Sequence, residues 1–146
     1  MHARQQIREA IATLVTGLST TGATVYQSRV YPIDTLPSLS VYSLNEEVED
    51  TQQNGAQTRV LTVVIEGRVK AVSNYDDTLD TIAEEVETAI MADQFLSALS
   101  ADVKLTELQE TTIELYEDLE KPCGVVSLRF HVLYRVNESD PSTLID

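Results

Sequence analysis

The chain has 146 residues, 42% of them apolar, and sets 10 basic residues against 24 acidic ones for a formal charge of -14. Length and apolar content suit one domain with a continuous core, whereas the acid excess excludes a surface that grips a nucleic-acid backbone, because such binding needs Lys or Arg to displace counterions. A lone Cys123 excludes an internal disulfide and a zinc cluster and points to a buried thiol, in a reducing compartment or in a chain indifferent to redox state.

The opening MHARQQIREAIATLV lacks the apolar run of a signal peptide. No segment approaches the roughly 20 apolar residues that cross a bilayer, so the expectation is synthesis in the cytoplasm without a membrane partner. From Arg4 to Leu18, Ile7, Ile11, Leu14, Val15 and Leu18 recur at spacings of four, three, one and three and lay one stripe along a helix. Gly17 and Gly22 then punctuate the chain. Val25 to Tyr31 and Ser38 to Tyr42 read as two short strands, and Pro32 and Pro37 bar the connection between them from a central ladder. Tyr26, Tyr31 and Tyr42 read as strand packing.

Asn45 to Gln57, NEEVEDTQQNGAQ, is polar and acidic with an Asn54-Gly55 turn signal, which predicts a long exposed loop. Val60 to Ala71 predicts a long strand with Leu61, Val63, Ile65, Val69 and Ala71 facing a core. Thr62, Glu66, Arg68 and Lys70 face water or a partner, and Gly67 marks a bulge or a close backbone approach. Ser73 or Asn74 caps the next helix. Its first turn holds Asp76 and Asp77, as the dipole favours, and its stripe is Tyr75, Leu79, Ile82, Ala83, Val86 and Ile90. Between Ala71 and Val103 there is no Lys or Arg, while Asp80, Glu84, Glu85, Glu87, Asp93 and Asp102 add further acid.

After a helical turn near Gln94 to Leu99, Val103 to Tyr116 and Gly124 to Val136 predict two long strands joined through Asp118 to Pro122. Val126, Leu128, Phe130, Val132, Tyr134 and Val136 alternate without a break, whereas the phase slips among Leu105, Leu108 and Ile113 and signals a bulge. Residues 1–136 therefore form one α+β domain. It should hold a mixed, mostly antiparallel sheet of about four to five strands with two main helices packed on it. Residues 137–146, without periodicity, are expected to be an extended arm.

The chemistry is sparse. Nucleophilic catalysis needs Ser, Cys or Lys beside an oriented base, and the histidines are His2 at the start of the chain and His131 on the polar phase of a strand. Carboxylate pairs such as Glu84 and Glu87 arise by chance among so many acids. Glu46, Glu47, Glu49 and Asp50 lack the alternating spacing of a calcium loop. Phosphate-cradling glycine loops are absent. No catalytic residue, cofactor site or metal site is expected, and the chain reads as a building block and not an enzyme.

The ordered segments RQQIREAIATLVTGL, TGATVYQSRVYPIDTLPSLSVYSLNEEVE, RVLTVVIEGRVKA and YDDTLDTIAEEVETAI resemble the tail-terminator proteins of tailed phages with long non-contractile tails, the minor tail protein U type. The resemblance runs from about Arg4 to Val136, and the phrase from Ser28-Arg29-Val30-Tyr31-Pro32 to Leu36-Pro37 is its most distinctive part. It implies a hexameric ring that caps the tail tube, stops tube polymerisation and offers the surface for head attachment. Implied partners are further copies of the chain, a tail tube protein and a head-tail connector or neck protein. Assembly would take place in the host cytoplasm and the product would sit in the virion at the head-tail junction. DNA would pass through the ring without specific binding, which fits an acidic lining.

On that reading Glu46, Glu47, Glu49, Asp50, Asp76, Asp77, Asp80 and Glu84 are candidate lumen or partner-facing acids. Arg129, His131 and Arg135 are a candidate subunit-interface strand face. The rival readings are another neck, tail-completion or tail-tube subunit, and a small soluble ligand-binding domain.

Overall fold

The computed structural model describes residues 1–29, 35–99, 103–117 and 122–145, with backbone alone for 104–107. Helix α1 (Ala3–Leu14) forms on the expected stripe: Ile7, Ile11 and Val15 are wholly buried, and Leu14 and Leu18 pack at the margin. His2 caps it, its Nδ1 accepting from the Arg4 N–H at 3.1 Å. Left-handed Gly17 and Gly22 then close a tight loop.

The strands are β1 (Val25–Tyr26), β2 (Ser38–Thr51), β3 (Ala56–Lys70), β4 (Lys104–Tyr116), β5 (Cys123–Asn137) and β6 (Asp140–Ile145). They form one sheet in the order β1-β2-β3-β5-β4, with β6 also on β5. Only the β1–β2 pair is parallel among these ladders. Because β3 covers one edge of β5 from Cys123 to Asn137, β6 must share the other edge with β4. It takes up Arg135 to Asn137, beyond the point where β4 begins opposite Leu133.

Helix α2 (Tyr75–Ala92) crosses β3 and β5, and α1 lies on β2 and touches β6. The alternation of β5 puts Val126, Leu128, Phe130, Val132, Tyr134 and Val136 under the helices, against Leu61, Val63, Ile65 and Val69 of β3. Two glycines set how close α2 can come. A Cβ on Gly67 would lie 2.8 Å from Ile82 Cγ2, and one on Gly124 would lie 2.5 Å from Tyr75 Cδ2. Gly67 is therefore a close approach and not a bulge, since its register with Leu39 and Val126 is unbroken.

Several expectations change. Asn45 to Gln57 is not a long loop: β2 runs on to Thr51, a tight turn with Gly55 at φ 88° reverses the chain, and β3 begins at Ala56. The early strand Val25 to Tyr31 is two residues long in β1, and residues 30–34 lie outside the described residues. After Asn137, the last residue of β5, the C-terminal arm is extended as β6 and lies back on β5, held to α1 by Gln6 Nε2 donating to the Ser142 carbonyl at 2.7 Å. Asn74 stands at the N-cap of α2 without a side-chain capping bond. The slip in β4 is real, with irregular register at Leu105/Leu108 and Leu108/Glu110. The connection from 118 to 121 and Asp102 lie outside the described residues.

Candidate functional site

The sheet face away from the helices is an open face in that no helix among the described residues lies on it, and its polar side chains are organised. Register aligns Tyr42, Val64, Arg129 and Glu110 in one row across β2, β3, β5 and β4, and Ser40, Glu66, Ser127 and Thr112 in the next. Glu66 accepts from the Tyr42 hydroxyl at 2.8 Å and from Arg68 Nη2 at 3.1 Å. The Arg68 guanidinium lies 5.9 Å from the Tyr116 ring centre, and Arg29 lies 4.7 Å from that of Tyr42. Burial, then the hydrogen bond to Glu66, pushes the Tyr42 hydroxyl up to about 12. Beneath these groups Val64, Val125 and Cys123 are buried, so this face is only partly a water-facing one.

Arg129, His131 and Arg135 all project on this open face, as their shared phase on β5 requires. Arg129 meets Glu110 at 3.7 Å, an exposed pair worth about 0–1 kcal/mol.

The acidic residues do not gather into one surface. Asp76, Asp77, Asp80 and Glu84 are exposed on α2, in the helix layer. Glu47 and Asp50 are exposed at the far end of β2, opposite Val60 and Thr58 on the other face of the sheet, and Glu49 sits in the irregularity between Val48 and Asp50. Glu46 is different in kind. It turns under the helices, where Oε2 meets Arg4 Nη1 at 2.7 Å and Arg59 Nη1 at 3.3 Å, and Oε1 accepts from the Tyr134 hydroxyl. Burial and then that hydrogen bond raise the Tyr134 hydroxyl well above an ordinary tyrosine.

Composition could not find this pin, because an acidic run looks alike whether its members are solvated or paired. It ties α1 to three strands, and it corrects the expectation that Glu46 shares the free exposure of its neighbours.

Among the described residues no group of three or more His, Cys, Asp or Glu side chains is placed to hold a metal, and no helix is long and apolar enough to cross a membrane. Grooves among the described residues open to solvent. One of 380 Å³ runs between α1 and the turn at Leu96, and one of 510 Å³ between the Gly17 loop and α2, where Glu84 and Glu85 line it.

The two edges of the sheet differ from its faces. Ile113 and Leu115 of β4 lie on the helix side, opposite Val126 and Gly124, yet both are exposed. At the other edge β1 covers only Leu39 and Ser40 of β2, and Val48, also on the helix side, is exposed as well. Sequence alternation marked these strands as half-buried but could not say which would be outermost.

No family model matches the chain, and no curated protein matches it. Among solved structures it is similar to a chain of the virion of a native gene transfer agent particle, at 18% identity and a TM-score of 0.46, with 92% of each chain covered.

Proposed function

We propose that the protein is a structural virion subunit that acts by assembly and not by bond chemistry. It caps the tail tube as a ring, stops polymerisation and presents the tail side of the head junction. The observation that carries this reading is the pair of sheet edges left open among the described residues, on a subunit with one continuous buried core. Such edges are ready to pair with another chain, and natural monomers normally cover them. The segment order that resembles tail terminators supplies the place in the particle, and a ring needs a head-to-tail contact that closes.

The charge suits a conduit for DNA. At a net charge of -14 the subunit repels phosphate, and α2 carries acid without any base. On the open face Arg68 and Arg129 are already engaged with Glu66 and Glu110. The α2 surface, turned inward, lets a polyanion slide without capture. Termination follows if one rim matches the tube subunit and the other does not repeat that match.

Sedimentation and electron microscopy of the purified chain test the reading. Discrete rings support it, long self-stacked tubes favour a tail-tube subunit, and a monomer at all concentrations, with no collar in particles, refutes it.

A further inference from the structure

Resting on the ring reading, we propose that neighbouring copies join edge to edge, β4 of one pairing antiparallel with the outer edge of β2 of the next. The sheet then runs on without a break from copy to copy.

Three observations carry this. First, β4 is a regular open edge from Glu110 to Tyr116, in one-to-one register with Arg129 to Cys123 of β5, and residues 108–117 contain none of the Lys or Pro that commonly blunt an edge. Second, both edges expose apolar side chains on the same face. Ile113 of β4 is 50% exposed and Val48 of β2 is 51% exposed, each on the helix side, where α2 and α1 do not cover them. Joining the edges brings apolar to apolar and keeps the helix layer on one side of the joint. Third, the strand directions agree. Successive antiparallel ladders make β4 run opposite to β2, so a rotation that keeps all copies pointing the same way creates an antiparallel pair.

Register is limited as well. Because β1 already occupies Leu39 and Ser40, and Arg29 Nη2 donates to the Ser43 carbonyl at 3.5 Å, an incoming β4 sits against residues 44–51. A two-fold β4–β4 contact is less suited. It would leave the β2 edge bare and pair the copies off two by two, so it could not continue from copy to copy around a ring.

Cysteine cross-linking of the full chain decides between these arrangements, with Cys123 left in place because it is buried. Ile113→Cys is combined in turn with Val48→Cys and Thr51→Cys, both exposed on the helix side of β2, and each single variant is oxidised alongside. At least one double variant should give a ladder of covalent multimers ending at the mass of the closed ring, while the singles stay monomeric. Dimers from Ile113→Cys alone would establish the two-fold contact and overturn the proposal.

Ile113→Lys with Val48→Lys alters exposed positions, so its melting should match the parent while its association weakens about tenfold or more. Rings that form with parent affinity in that variant, or rings without a ladder in any double, overturn the edge joint but leave the ring reading standing. A parent chain that forms no ring at all defeats the ring reading itself.

Discussion

Replacing Glu46 by alanine should destabilise the chain far more than replacing its neighbour Glu47. The Glu46 side chain is 10% exposed, and its partner Arg59 is 12% exposed, so their pair is close to a buried one. Removing one member of such a pair costs about 3–5 kcal/mol. Here the figure is lowered, because Gln57 Oε1 already accepts from Arg59 Nε at 3.1 Å and Nη2 at 2.8 Å and keeps the cation from being stranded. Arg4, at 43% exposure, adds at most about 1 kcal/mol. The Tyr134 hydroxyl loses a charged acceptor, a loss of about 1.5–3 kcal/mol on its own.

These contributions overlap, and the expected total is about 3 kcal/mol, or a fall in Tm of about 10 °C for a chain of this size. Urea and thermal denaturation of Glu46→Ala, Glu47→Ala and Tyr134→Phe would measure it. Glu47→Ala should stay within about 0.5 kcal/mol of the parent. If Glu46→Ala costs no more than that, the pin is an ordinary solvated acid and the account of β2 as a paired strand end is wrong.

Gly67→Ala should cost about 1–3 kcal/mol by forcing a methyl against the stiff, buried Ile82, and equilibrium unfolding would show it; a neutral outcome would mean that α2 slides freely over β3. Tyr42 should resist ionisation in an absorbance titration. Its folded value near 12 lies above the unfolded 10, so its contribution to stability is full below pH 10 and is lost as pH rises through 12. Tyr42→Phe should remove that part of the alkaline decline. His2 behaves in the opposite sense. Burial, then the nearby Arg4 charge, lowers its value from 6.5, so its contribution is present above pH 6.5 and falls as acid protonates the capping nitrogen. His2→Asn keeps a cap without titrating there and should flatten the stability profile below about pH 6.5.

Much of the core is readable in order along the chain, because helix and strand periods reflect which side of each element leaves water. The stripes of α1 and α2 and the run from Val126 to Val136 need no partner to be recognised. The acidic stretch after Asn45 misleads for a definite reason. Glu46 finds Arg4, Arg59 and Tyr134 at separations of 42, 13 and 88 residues, and no local window contains them all. The place of the chain's end is hidden likewise: β6 lies where it does because β4 begins opposite Leu133 and leaves that edge of the last part of β5 free, a vacancy that is visible only in the assembled sheet.

The same division holds for the assembly surfaces. Charge, the sparse catalytic chemistry and the alternating phase of Arg129, His131 and Arg135 follow from the order of residues, since each depends on composition or on a two-residue repeat. Which strands lie outermost, which acids are free and which arginines are already engaged follow from tertiary structure. Edges and ion pairs are relations between segments far apart along the chain, and only folding brings those segments into contact.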